Sequence, residues 1–128
     1  MTLDNLEVVT LFVNDIVSAK DFYKRVFSAQ MIFEDEVSAL FRLSGAMINL
    51  LADDQAPELV EPLNVGSPTS GVRMLLTIRV NDVDATCREL VAAGVRLLNG
   101  PMNRPWGRRT AAFADPSGHV WEIAHELA

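Results

Sequence analysis

One carboxylate stands out among the residues whose type and position could support chemistry. Glu122 interrupts an otherwise apolar segment, Val120 to Ala124, and on a strand it would share a face with the two ends of that segment. An ionised carboxylate on a buried strand needs a partner, because burying an unpaired charge is costly. Glu122 is therefore predicted to contact a ligand, to act as a general base or to anchor a cationic group. The alternative is a structural ion pair with Arg79 or another arginine.

The other reactive residue types have structural explanations. Cys87, the only cysteine, falls on an apolar helical stripe, which predicts a buried thiol and excludes an intrachain disulfide. The segment 115–118, DPSG, matches a type I turn. His119 and His125 each lie three residues from Glu122, so they should point to the opposite face of a strand, as a turn residue and a strand-end residue. No phosphate-binding glycine motif, serine nucleophile elbow or Cys–His pair is present, which argues against nucleotide and acyl-transfer chemistry.

Trp106 is the candidate aromatic contact for a ligand. It lies in a loop bounded by Pro105 and Gly107, and a large aromatic residue on a loop often covers an apolar or planar ligand. The alternative is simple packing against the edge of the domain. The net charge of −6 argues against nucleic acid as a partner and favours a cationic ligand, although the charge also serves solubility.

A duplicated strand, turn and helix must position these side chains. The segment TLFVNDIVSA, residues 10–19, aligns with TIRVNDVDAT, residues 77–86, at a constant offset of 67. Each copy places an aspartate, Asp15 or Asp82, where it would cap the helix that follows, and Gly94 suits the left-handed residue that ends the second helix. Both aspartates are therefore interpreted as caps, not as catalytic acids.

Alternation along the first strand of each copy separates two faces. One face is apolar in both copies and should be covered by the helices: Val9, Leu11 and Val13, then Leu76, Ile78 and Val80. The other face is where a site is expected: Val8, Thr10 and Phe12, then Leu75, Thr77 and Arg79. Six further short strands are predicted, over residues 30–33, 39–43, 47–51, 95–98, 110–114 and 120–124. Residues 52–71, which are rich in proline and glycine, are predicted to form an irregular connection that could cross between two chains.

These motifs resemble a known family. The two V-N-D-[IV] segments, the FY pair in the first helix, the loop PWGR at 105–108 and DPSGHVWEI at 115–123 resemble the vicinal oxygen chelate superfamily, which includes glyoxalase I, extradiol dioxygenases and bleomycin-resistance proteins. The resemblance implies an α+β fold in which two βαβββ modules form a cupped, partly open mixed β-barrel, completed in a homodimer. Module one would cover about residues 4–52, a linker about 53–71 and module two about 72–127 of a single domain.

The resemblance also implies where a metal would lie. Metal-using members carry His or Glu ligands at positions that correspond here to Val8, Asn49, Leu75 and Glu122. The duplication supports this register independently, since Val8 plus 67 is Leu75, and aligning Gly45 with Gly118 pairs Asn49 with Glu122. Aliphatic side chains donate no lone pair and an amide oxygen is a weak ligand, so no metal site and no cofactor are predicted.

The leading interpretation is a metal-free small-molecule binding protein of the bleomycin-resistance type. It would be a cytoplasmic homodimer, with no nucleic-acid or membrane partner, that sequesters a cationic or aromatic organic ligand. The predicted ligand contacts are Val8, Phe12, Asn49, Leu75, Arg79, Trp106 and Glu122. The alternative is a lyase, isomerase or dioxygenase of the same superfamily, with displaced metal ligands or with Glu122 as a metal-independent catalytic base. A third possibility is a subunit that has lost ligand binding and serves a protein partner.

Overall fold

A computed structural model describes every residue from Met1 to Ala128. The chain divides into two compact units, residues 1–68 and 69–128, and each contains one βαβββ module. The α+β arrangement of two such modules, predicted from the sequence, is confirmed. None of the helices is both long enough and apolar enough to span a lipid bilayer.

Module one forms a four-stranded mixed sheet in the order β1-β4-β3-β2. Its elements are β1 (Val8–Val13), α1 (Ile16–Arg25), β2 (Gln30–Glu34), β3 (Ser38–Arg42) and β4 (Met47–Ala52). Strand β1 runs parallel to β4, and the other pairs are antiparallel. Helix α1 begins at its predicted cap, because the Asp15 carboxylate accepts hydrogen bonds from the amides of Val17 and Ser18 at 3.1 and 3.2 Å.

The core of module one lies between α1 and one face of the sheet. The helix buries Ala19, Phe22 and Tyr23, and the ring of Tyr23 lies 6.2 Å from that of Phe41 on β3. The buried strand residues include Leu11 and Val13, as the alternation in the sequence predicts. Each large apolar side chain removed from water in this way contributes about 1.5–3 kcal/mol.

Module two repeats the same topology with the sheet order β5-β8-β7-β6. Its elements are β5 (Leu75–Arg79), α3 (Val83–Ala92), β6 (Leu97–Asn103), β7 (Arg108–Ala114) and β8 (Val120–Glu126). Strand β5 is parallel to β8. The apolar helical stripe predicted to contain Cys87 is the buried face of α3, which consists of Val83, Cys87 and Leu90. Asp82 caps this helix by accepting from the amide of Ala85 at 3.1 Å, and Gly94 has the predicted positive φ of 84°.

Two sequence predictions differ from the structure by more than one or two residues at an element boundary. The prediction of an irregular linker is wrong at its start, because residues 53–55 form a 3-10 turn and α2 (Pro57–Val60) follows, with Ala56 buried between them. Strand β6 extends to Asn103, well beyond the predicted end at residue 98. The strand passes through Gly100 and Pro101, which are poor strand formers, but β6 is an edge strand where a missing N–H is tolerated.

The register of the two sheets shows which positions of the modules are equivalent. Thr10 on β1 lies opposite Asn49 on β4, and Thr77 on β5 lies opposite Glu122 on β8. Asn49 and Glu122 therefore occupy equivalent positions in the two sheets, as the duplication predicts. In each module the face that does not carry the helix is called the open face below.

Candidate functional site

Glu122 lies on the open face of module two, in the middle of a row of side chains that crosses the sheet. Thr77 lies opposite it on β5 and Ala112 opposite it on β7, while Asn99 on β6 lies opposite Ala112. The carboxylate is half-buried, and its Oε1 accepts a hydrogen bond of 3.0 Å from the Thr77 hydroxyl. A hydroxyl donor holds the carboxylate in place without cancelling its charge.

Arg79 does not pair with Glu122. Its Nη2 lies 3.8 Å from Oε1 of Glu126, which also lies 3.0 Å from Nε of Arg108. The structural ion pair considered as the alternative role of Glu122 is therefore absent, and Glu126 is the residue that these two arginines share. The physical reason is register: Arg79 lies opposite Ala124, between the two glutamates, and its side chain turns toward the end of β8.

Arg104 is a residue of this face that the sequence did not reveal. It lies just after β6, and its guanidinium turns back over the sheet. Its Nε donates to Thr110 Oγ1 and its Nη2 to Asn99 Oδ1, both at 2.8 Å. Thr110 faces the same side as Ala112 and Glu122, because the three residues alternate with residues that face the helix.

Trp106 lies at the tip of the hairpin that joins β6 and β7. The amide of Gly107 donates to the carbonyl of Arg104 at 3.1 Å, which closes a tight turn with Trp106 inside it. The indole remains 65% exposed, so it does not pack into a core, and the Arg104 guanidinium lies 6.0 Å from its ring centroid. Leu75, at the start of β5, is also exposed.

The open face of module one is mainly apolar. Val8 and Phe12 alternate along β1, and Asn49 lies between Thr10 on β1 and Leu40 on β3. Val8, Phe12 and Asn49 are all half-buried. This face therefore offers hydrocarbon contact with one amide that can both donate and accept hydrogen bonds.

The residues at the positions that the resemblance assigns to metal ligands do not fit a metal centre. Val8 and Leu75 have no donor atoms, and nowhere in the chain do three or more His, Cys, Asp or Glu side chains come together as a cation site. Both histidines have other roles: His119 Nδ1 lies 2.9 Å from Asp115 Oδ2 in the turn, and His125 Nδ1 accepts from the amide of Val83 at the start of α3. Both therefore lie away from Glu122, as predicted.

A shallow depression of about 500 Å³ lies beside α3 and includes Cys87, Arg88 and Pro101. Burial raises the pKa of the Cys87 thiol, so the thiolate is disfavoured there. Asp84 at the rim receives two hydrogen bonds from Arg109, at 2.7 and 2.8 Å, and these lower the pKa of its carboxyl. Arg109 thus neutralises Asp84, and burial disfavours the Cys87 thiolate, which leaves the open faces as the candidate site.

Comparison with known proteins identifies a family and a range of relatives. The family model described as Glyoxalase/Bleomycin resistance protein/Dioxygenase superfamily matches residues 5–123. The uncharacterized protein YraH of Bacillus subtilis is 33% identical over 119 residues, which cover 90% of this chain and 93% of YraH. Metallothiol transferase FosB of Lysinibacillus sphaericus is 24% identical over 96% of this chain and 83% of its own length.

Two solved structures extend the comparison. A glyoxalase/bleomycin resistance protein/dioxygenase from Nocardioides has a TM-score of 0.87 at 20% identity, over 99% of this chain and 86% of that one. TnmS3, an antibiotic binding protein from Streptomyces sp. CB03234, has a TM-score of 0.73 at 26% identity, over 98% of both chains. The first similarity supports the fold, and the second is to a protein that binds an antibiotic.

Proposed function

Because this chain belongs to the Glyoxalase/Bleomycin resistance protein/Dioxygenase superfamily, we propose that it binds a small organic molecule without the metal centre of the superfamily. The observation that carries the proposal is the burial of Glu122 and its single hydrogen-bond partner. Three of the four ligand positions have lost metal-binding groups, while the fourth remains a half-buried carboxylate held only by a hydroxyl. No arginine or lysine pairs with this carboxylate, and its oxygens can accept further hydrogen bonds.

In this proposal each open face offers ligand contacts of its own. On module two, Glu122 accepts a hydrogen bond from the ligand, while Leu75, Arg79 and Trp106 border it. On module one, Val8 and Phe12 provide apolar contact and Asn49 orients a polar group. A few polar groups placed among apolar walls are typical of small-molecule sites.

Relatives support a binding role without defining the ligand. TnmS3 is an antibiotic binding protein that aligns over nearly the whole chain, which favours sequestration of an organic compound. We further propose that the protein acts as a homodimer in the cytoplasm. The single buried cysteine is compatible with that compartment, and the homodimer follows the usual assembly implied by the resemblance.

A thermal-stabilisation screen tests the proposal. Purified protein is heated with divalent metals, antibiotics, glutathione conjugates and catechols, and a ligand that binds the folded state raises the Tm. We expect at least one organic compound to raise the Tm, and Glu122→Gln to weaken its affinity about tenfold, because a charged acceptor becomes a neutral one. The matched control is Glu89→Gln, an exposed glutamate on α3. Stabilisation by a stoichiometric divalent ion that requires Glu122 would contradict the proposal.

An enzyme is the second candidate, because the same geometry suits a general base. Glu122 is not neutralised by an arginine, so a proton from a substrate could be transferred to its Oε2. The same variant separates the two functions once a bound compound is known. Glu122→Gln would abolish turnover of that compound in an enzyme, whereas a binding protein shows no turnover with either glutamate or glutamine and loses only affinity.

A further inference from the structure

Arg104 carries a positive charge that no carboxylate of the chain neutralises. Its two side-chain acceptors, Asn99 Oδ1 and Thr110 Oγ1, are neutral, and the arginine ion pairs of the chain involve only Arg25, Arg79, Arg108 and Arg109. A guanidinium has five N–H donors in a planar fork. Because Nε and Nη2 are engaged, the Nη1 end remains available to a further acceptor.

The charge of the open face of module two differs in sign from that of the whole chain. Three arginines on this face, Arg79, Arg104 and Arg108, stand against two glutamates, Glu122 and Glu126, which leaves a local charge of +1. The chain as a whole carries −6. The net charge of the chain therefore does not describe the charge of this face, and the Arg104 guanidinium would bind an anion.

The guanidinium and the exposed indole form one surface. Arg104 lies 6.0 Å from the centroid of the Trp106 ring, the distance of a cation–π contact, and the indole is 65% exposed. Thr110, which holds Arg104, lies diagonally from Glu122 on the neighbouring strand, a spacing of roughly 7–8 Å. A small ligand can therefore reach both the guanidinium and the carboxylate.

We propose that Arg104 binds the oxyanion of a planar aromatic ligand whose ring lies against Trp106. The proposal rests on the proposed function and names its ligand class. Asn99 and Thr110 position the guanidinium so that a carboxylate or phosphonate meets its Nη1 end, and Glu122 accepts a hydrogen bond from a hydroxyl or amine elsewhere on the same molecule. The ligand is thus an aromatic anion with a hydrogen-bond donor.

Four monocyclic probes of similar size separate the effect of charge from binding of the ring: benzoate, phenylphosphonate, benzamide and benzylamine. The chain has two tryptophans, exposed Trp106 and buried Trp121, so its NMR spectrum has two indole N–H signals, which Trp106→Phe assigns. We expect benzoate or phenylphosphonate to shift the Trp106 signal saturably. The affinity of the anion should be at least about tenfold higher than that of benzamide, because a charge-assisted hydrogen bond replaces a neutral one. The anion that binds more tightly identifies the oxyanion class.

Arg104→Gln should remove this difference between anion and amide, while Arg96→Gln, an exposed arginine between α3 and β6, should preserve it. Asn99→Ala keeps the charge but loosens the guanidinium, so it should weaken anion binding and leave benzamide binding unchanged. This second variant carries the test if Arg104→Gln does not fold.

Equal affinities for benzoate and benzamide, unchanged selectivity in the folded variants, or no response of Trp106 to any probe would overturn the inference. Tighter binding of benzylamine that depends on Glu122 would also overturn it, while supporting the proposed function itself. Failure of the proposed function has a different signature, namely a stoichiometric divalent ion that stabilises the protein through Glu122.

Discussion

Two glutamates on one strand show how local partners decide what a residue can do. Glu122 and Glu126 lie on the same face of β8, yet Glu126 is shared by two arginines and Glu122 is held by the hydroxyl of Thr77. An ion pair cancels charge, whereas a neutral donor only orients it. Glu122 is thus the carboxylate of β8 that remains available to a ligand, although the sequence alone left an arginine partner open.

His125 shows a residue whose sequence interpretation was correct but incomplete. A strand-end position on the helix side of the sheet was predicted, and the structure adds that its Nδ1 accepts from the buried amide of Val83 at 2.9 Å. Asp82 accepts from Ala85, so the first turn of α3 is satisfied by two side chains from different elements. Only a tautomer without a proton on Nδ1 can make this bond.

The cap from His125 predicts an ordered series of stabilities. His125→Asn places an oxygen near the position of Nδ1 and should stay close to the original free energy of unfolding. His125→Ala and His125→Gln should lower it by about 1–3 kcal/mol, because the amide of Val83 loses its acceptor or meets one at the wrong distance. Urea denaturation monitored by circular dichroism measures the series. Equal losses for asparagine and alanine would show that packing of the ring, not the hydrogen bond, stabilises α3.

At the scale of elements, the parts of the fold that follow local rules were predictable. The caps at Asp15 and Asp82, the apolar stripe of α3 and the alternation along β1 and β5 all depend on neighbours in sequence, and all are found as expected. The same alternation and the duplication offset identified the row that contains Glu122. The predicted strand β6 was too short because glycine and proline usually end a strand. Only the sheet shows that β6 lies at an edge, where both residues are tolerated.

Arg104 and Asn99 escaped prediction because β6 departs from strict alternation. Leu97 and Asn99 are two residues apart and would share a face in a regular strand. The register shifts between them, so that Leu97 lies opposite Phe113 and Asn99 opposite Ala112, on the other face. A bulge of this kind depends on the partner strand. The anion-binding arrangement is thus a product of pairing between β6 and β7, which the sequence pattern does not reveal.

The close approach of β6 to β7 predicts unequal costs for two glycine substitutions. Gly94 and Gly100 share a φ of 84°, but a Cβ on Gly94 would meet open space, whereas one on Gly100 would lie 2.5 Å from the carbonyl oxygen of Thr110. Gly94→Ala should cost about 1 kcal/mol from backbone strain alone, and Gly100→Ala about 3 kcal/mol or more. Chemical denaturation of both variants measures the difference. Similar losses would show that the strands separate easily at this point.

At the scale of the whole molecule, the two modules have kept one topology and diverged in the chemistry of their open faces. Module one presents Val8, Phe12 and Asn49, and module two presents charged side chains around Glu122. The duplication explains the common backbone, because capping, alternation and sheet register are the same in both copies. Divergence of the faces is a matter of single side chains, so membership of the superfamily does not by itself define the ligand.

Metal binding is a test of both modules, because each has lost at least one metal donor at its implied ligand positions. The chain as isolated should contain no stoichiometric divalent ion, and added Zn²⁺ or Ni²⁺ should leave its Tm unchanged, since neither open face has more than one donor at the implied ligand positions. Leu75→His is the matched gain-of-function variant. Leu75 lies opposite Val120, and its side chain is on the same face of the sheet as that of Glu122. The substitution adds an imidazole beside the carboxylate, and Ni²⁺ should then raise the Tm. If Ni²⁺ stabilises the unmodified protein and Glu122→Gln removes the effect, Glu122 is a metal ligand and the metal-free proposal is wrong.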